Sequence, residues 1–136
     1  MSTAASEQGL GVVVAWLDAM RRGEPEAAAE YFDPDVIWHG LPADAVCRNR
    51  AEVLEMLRRT VARGLPRASA LELVAGDGAV MIGVRSADLR EIGDVPLSGQ
   101  LYNVFQLRDG VIVFATDFAR REDALGAAGA DPPAWT

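Results

Sequence analysis

The sequence predicts an α+β domain, and three observations carry that prediction. Helical patterning is confined to the first half of the chain. Four strand-like runs follow one another after residue 67. The first two runs and the last two are separated by "GDG" and "RDG", which are antiparallel hairpin signals.

The elements follow in order. Residues 1–7 are small and polar and are expected to be disordered. From Gln8 to Arg22 the residues Val12, Val13, Trp16, Leu17 and Met20 recur at helical spacing, and Gly23 ends the run. "EPEAAAEYF" starts a second, short helix with Pro25 in its first turn, and "DPD" at 33–35 breaks it. "VIWHG", residues 36–40, reads as a strand. In "CRNRAEVLEMLRRTVARGLP" Asn49 is the helix cap, Glu52 lies three residues on, and Gly64 and Pro66 mark the end. The four strands are "ASALELVA", "AVMIGVRSA", "LYNVFQL" and "VIVFATDFA". "REDALGAAG" allows one last helical turn, and 127–136 reads as a tail. No repeat or linker divides the chain.

Bulk properties narrow the function. The 136 residues suit one domain with one core, half of them apolar and 24% charged. A net charge of −7 argues against nucleic acid and against anionic membrane surfaces, both of which recruit clustered Lys and Arg. No run is long enough to span a membrane, and the N-terminus lacks a signal-peptide pattern. One cysteine, Cys47, excludes an internal disulfide, so a cytoplasmic setting is expected.

The strands hold the chemistry. Residues two apart share a face, so Asp117 shares its face with Ala115 and Ala119, and Arg85 shares its face with Gly83 and Ala87. A charge between small side chains leaves volume that a packed core would fill. A cavity beside Asp117, with Arg85 in salt-bridge reach, would explain both patterns. A structural ion pair would explain them equally well. The opposite faces (Val80, Ile82 and Val84; Ile112, Phe114 and Phe118) are also apolar. They call for a covering partner, and a homodimer would supply one.

"WLDAMRRGEPEAAAEYFDPDVIWHGLP" and "LYNVFQLRDGVIVFATDF", in the order helix–helix–strand–helix–four strands, resemble the nuclear transport factor 2-like superfamily and its SnoaL-like members. The resemblance covers about residues 8–126 as a single domain. It implies a SnoaL-like α+β barrel: a cone-shaped, curved mixed or antiparallel sheet wrapped around N-terminal helices, commonly as a homodimer. Against limonene epoxide hydrolase, the last-strand aspartate falls on Asp117 and the arginine on Arg85. The second aspartate falls on Ala87, the tyrosine on Trp38 and the asparagine on Gly40. Against ketosteroid isomerase, the base falls on Gly40, the acid on Asn103 and the tyrosine on Trp16. What the resemblance implies is one working carboxylate, Asp117, with Arg85 as its catalytic partner. Substrate would be a small hydrophobic molecule contacted by Trp16, Leu17, Met20, Trp38, Leu89, Leu101, Asn103 and Phe105. No cofactor is implied. A non-catalytic binder and a pairing module with a filled interior are the other readings.

His39, the only histidine, faces away from Trp38, toward solvent or a second copy, and has no partners for a metal. Cys47 has no histidine at nucleophile–base spacing. The "LRDGV" turn sets what faces Asp117. A two-residue turn would put Tyr102 across from it. A three-residue loop with Gly110 in a bulge would put Leu101 there, with Asn103 and Phe105 inward and Tyr102 outward. The three-residue loop is the expected form.

Overall fold

The computed structural model describes residues 3–130, with side chains from residue 7 onward. The elements in chain order are α1 (Thr3–Arg21), α2 (Pro25–Ala29), β1 (Phe32–His39), β2 (Val46–Cys47), α3 (Arg50–Arg63), β3 (Ala70–Ala75), β4 (Ala79–Arg85), β5 (Glu91–Ile92), β6 (Val95–Pro96), β7 (Gln100–Arg108), β8 (Val111–Phe118) and α4 (Arg121–Ala128). Six strands form one curved sheet in the order β2-β1-β8-β7-β4-β3. Neighbours are antiparallel except β1 and β8, which run parallel.

Local signals set most of these boundaries. The Asn49 side chain accepts a hydrogen bond from the Glu52 N–H at 2.9 Å, and Glu52 accepts one from the Arg48 N–H at 2.7 Å. The first turn of α3 is thereby satisfied. Three boundaries differ from expectation. The first helix begins at Thr3, inside the segment expected to be disordered, where Ala4 and Ala5 favour a helix. β1 begins at Phe32 and carries Asp33-Pro34-Asp35 as an irregularity in its register with β8. A bulge tolerates the proline's missing N–H. The expected tail begins inside α4, and 131–136 lie outside the described residues.

The main core lies on the inner face. Val13, Trp16, Ala19 and Met20 of α1, Ala28 and Ala29 of α2, and Val53 and Leu57 of α3 pack on Phe32, Val36, Trp38, Val80, Ile82, Phe105, Ile112 and Ala115 of the sheet. Leucine, valine and aromatic burial of this kind is the main stabilising term of such a domain.

The outer face is covered too, which the sequence reading did not anticipate. The last helical turn is a two-turn helix, α4, whose Ala124 and Ala128 bury Ala79, Met81, Tyr102 and Val104. Both ends of α4 are fixed. Arg121 donates two hydrogen bonds to the Glu72 carboxylate, at 2.9 and 2.7 Å. At the other end the Asp77 N–H donates to the Ala128 carbonyl at 3.1 Å. Gly76 permits that approach, because a Cβ there would lie 1.8 Å from the Ala128 oxygen.

The β7–β8 turn is not the expected three-residue loop. Arg108 pairs with Val111, and Asp109 and Gly110 both have positive φ, 54° and 77°. This is the two-residue turn, with the conformation that matches strand twist. The register then shifts: Leu107 pairs with Ile112, but Gln106 pairs with Phe114. Val113 is the extra residue of a bulge. Beyond it Phe105 faces Ala115 and Asn103 faces Asp117. The expected faces still result, because the bulge shifts the pairing by one residue, but in the direction opposite to the loop: Asn103, not Leu101, stands across from Asp117. Asn103 and Phe105 point inward, and Tyr102 packs under α4.

Gly76→Ala is expected to push the end of α4 off the sheet and to lower folding stability by about 1–3 kcal/mol. Chemical denaturation measures this. A midpoint equal to that of the wild type would show that α4 is not seated on Gly76.

Candidate active site

Asp117 sits near the end of β8, between β7 and β1, and both neighbours donate to it. Asn103 Nδ2 donates to Oδ1 at 2.6 Å. Trp38 Nε1 donates to the same oxygen at 2.9 Å. Oδ2 accepts no hydrogen bond within the described residues. Its neighbour is Gly40, where an added Cβ would lie 3.8 Å from Oδ2 and only 2.9 Å from the Ala45 Cβ. Gly40 thus lets the β1–β2 loop turn tightly against Ala45, beside the carboxylate. The loop is tied by the Gly40 N–H donating to the Ala45 carbonyl at 2.7 Å. A second loop, 86–99, carries the small β5–β6 hairpin and meets the first: a Cβ on Gly93 would lie 3.1 Å from Pro42.

Burial pushes the Asp117 carboxyl up to about 6, against the pull of its two hydrogen bonds. Burial also raises the Cys47 thiol; Cys47 pairs with Trp38 across β1 and β2. One carboxylate oxygen is fixed, the other receives no donor among the described residues, and the group titrates close to neutrality. That combination suits proton transfer.

Arg85 is not part of this arrangement. Asn103 pairs with Asp117 on one side and with Ile82 on the other, and Ile82 pairs with Leu73. The inward row is therefore Asp117–Asn103–Ile82–Leu73. Even-numbered residues of β4 face inward, and Arg85 lies on the outer face, exposed, paired with Gln100. The expected Asp117–Arg85 salt bridge does not form. The sequence reading put two small-residue faces on one side of the sheet, although strand β7 between them fixes the opposite parity.

The volume beside Asp117 is also accounted for. Ala115 pairs with Trp38 on one side and Phe105 on the other, and the two rings meet edge to face with centroids 5.4 Å apart. Trp16 and Phe32 complete the cluster, Trp16 at 5.0 Å from Phe105 and Phe32 at 5.8 Å from Trp38. Trp16, Trp38, Phe105 and Met20 are buried core residues. Leu17 is half-buried against them, Leu101 is half-buried beside Val84, and Leu89 is half-buried in the 86–99 loop. Two surface concavities of about 550 Å³ lie elsewhere. One is beside α2 and the start of α3, and the other is between α4 and the β7–β8 hairpin.

The sequence reading missed Trp38 as the second donor to Asp117 and Gly40 as the neighbour of Oδ2. Both follow from β1 lying parallel beside β8, a long-range pairing without a local signal. His39 is exposed on the outer face, its ring 5.4 Å from that of Phe114. Among the described residues no group of His, Cys, Asp and Glu is placed to hold a metal, and no helix is long and apolar enough to cross a membrane.

With this geometry in place, the comparisons decide the family. The SnoaL-like domain profile matches residues 13–115. The chain belongs to the SnoaL-like domain family. Asp117 lies two residues past that match. A candidate polyketide cyclase from Xanthomonas campestris pv. campestris is 18% identical, with 92% of this chain and 99% of that chain covered and a TM-score of 0.64. A nuclear transport factor 2-like protein of unknown function from Burkholderia xenovorans LB400 is 14% identical, covering 96% and 88%, with a TM-score of 0.58. A de novo designed protein with a curved β-sheet is 18% identical, covering 90% of each, with a TM-score of 0.65. At these identities the likeness shows the fold, and a designed protein shares it equally well. A search of curated proteins gave no match.

The raised carboxyl makes a signed prediction. The folded protein holds the Asp117 proton more tightly than the unfolded chain, whose value is near 3.8. The site is therefore most favourable below about pH 4, and about 3 kcal/mol is lost as pH rises to 6 and beyond. Asp117→Asn is expected to be more stable than the wild type by about 1–3 kcal/mol at pH 8, with no advantage at pH 4. Urea denaturation at both pH values checks it. A variant less stable at pH 8 would mean that the ionised carboxylate contributes net stability to the fold.

Proposed function

We propose that this SnoaL-like chain is a cofactor-free acid/base enzyme of the cytoplasm, acting on a small hydrophobic organic molecule. One observation carries the reading: Asp117 is half-buried and held by one oxygen, and its other oxygen receives no donor among the described residues. Trp38 and Asn103 fix the carboxylate plane. Ionised, Oδ2 takes a proton from the substrate; protonated, it returns one. Isomerisation, ring closure and epoxide opening all fit a single carboxyl in this role. Ring closure is the class in keeping with the candidate polyketide cyclase of the same fold. Leu17, Leu89 and Leu101, all half-buried, are the apolar side chains left to meet substrate.

A second reading, a binding or pairing module without turnover, is favoured by the close packing of Trp16, Phe32, Trp38 and Phe105. Deuterium exchange next to the carbonyl of a panel of cyclic ketones, followed by NMR, separates the two. The wild type should catalyse exchange with a single pH midpoint near 6, and Asp117→Asn should lose at least about 100-fold. Equal rates in both proteins, with ketone binding retained, would leave the binding module.

The same proposal includes a homodimer. Ile37 is 36% exposed on the outer face, paired with the half-buried Phe114 and outside the cover of α4. Sedimentation at micromolar concentration should give a dimer, and Ile37→Asp a monomer. A monomeric wild type would remove this part of the proposal.

A further inference from the structure

Arg22, Arg58, Arg120 and Arg121 each meet an acid. Arg59 has no hydrogen bond or ion pair among the described residues, although its neighbour Arg58 bonds both Glu26 and Glu55. The helix separates the two. Arg58 reaches Glu26 on α2, whereas Glu52, Met56, Arg59 and Arg63 follow at three- and four-residue steps down another flank of α3, beside the buried Val53 and Leu57. That flank meets β2. Cys47 pairs with Trp38 across β1 and β2, shares its inward face and packs against the inner core. Burial is the main cause that raises the Cys47 thiol; beyond burial Glu52 raises it, Arg59 lowers it and Asp117 raises it. Glu52 is engaged, accepting from the Arg48 N–H at 2.7 Å. Asp117 bonds only Trp38 and Asn103 among the described residues. Cys47 is thus near a guanidinium and a carboxylate that do not bond each other.

Resting on the acid/base reading above, we infer that Arg59 determines specificity at this site and that the substrate is an apolar molecule bearing a carboxylate. The carboxylate meets the Arg59 guanidinium, whose planar fork takes both oxygens. The apolar body lies over Cys47 and Met56, both half-buried, and the reacting end meets Asp117 Oδ2. Such a molecule joins the two charges that the free protein leaves apart. A chain of net charge −7 repels anions in general, so a cation beside the site both draws this one in and sets which end faces the acid. A neutral molecule of the same shape leaves the exposed Arg59 in water and gains nothing from it. Arg59 acts in specificity; the proton chemistry belongs to Asp117.

The test uses 1-naphthoate and 1-naphthamide, which share a skeleton and differ in charge. Affinity is read in ¹⁵N-labelled full-length protein from the Asn103 side-chain amide and the Trp38 indole. Covering of Cys47, the single cysteine of the chain, is read from its rate of alkylation by iodoacetamide. Naphthoate should bind about fivefold more tightly than the amide at low salt and should slow the alkylation. The preference should fade at about 0.5 M salt. It should vanish in Arg59→Gln, a substitution at an exposed helix position that leaves the core intact. Equal affinity for the two probes in the wild type, or a preference that survives Arg59→Gln, would overturn the inference and spare the Asp117 site. Alkylation of Cys47 at the same rate with and without naphthoate would place the ligand elsewhere and equally overturn it. If neither probe perturbs Asn103 or Trp38, the acid/base reading falls and takes this inference with it.

Discussion

The site depends on one extra residue. Val113 bulges from β8 between the pairs Leu107–Ile112 and Gln106–Phe114. Without it, Tyr102 would stand across from Asp117, and every side chain beyond the bulge would exchange faces. With it, Ile112, Ala115 and Asp117 all serve the inner face, and Phe114 and Phe118 turn outward. The bulge allows β8 to start with a tight two-residue turn and still present its acid to the interior.

Once the register is set, the environment of Asp117 follows from its neighbours. β7 contributes Asn103 and β1 contributes Trp38, and both donate to one oxygen. Two donors offset part of the cost of burying a carboxylate, and the carboxyl still ends near 6. A purely structural acid would be better served by a third donor or a cation. The buried Trp16 N–H, unpaired among the described residues, is unfavourable in the free protein. It is the kind of local destabilisation that binding sites carry.

The outer face shows how a small domain manages a sheet that is apolar on both sides. α4 lies across β4, β7 and β8, held by Arg121–Glu72 and by Ala128 against Asp77. Its alanines allow close approach, and Gly83, paired with Glu72 and Tyr102, keeps that row low. The exposed pair Ile37–Phe114 lies at the β1 side, beyond the helix.

The sequence by itself determined the elements that local chemistry dictates. Asn49 and Gly64 bounded α3, Gly23 ended α1, and the Asp-Gly pairs marked both hairpins, because caps and turns are decided by residues within a few positions of one another. It also singled out Asp117, since an acid between alanines on an apolar strand stands out without any structure. Only the tertiary structure decided the company that Asp117 keeps. Trp38, 79 residues away in sequence, reaches it because β1 lies parallel beside β8. Arg85 is turned away because Asn103 links β4 and β8 in the opposite parity. The space over the alanine beside Asp117 is filled by rings from two other strands. Face parity across a sheet depends on every intervening register, and a single bulge reverses it. Alternation within one strand, which the sequence displays, does not fix alternation between strands.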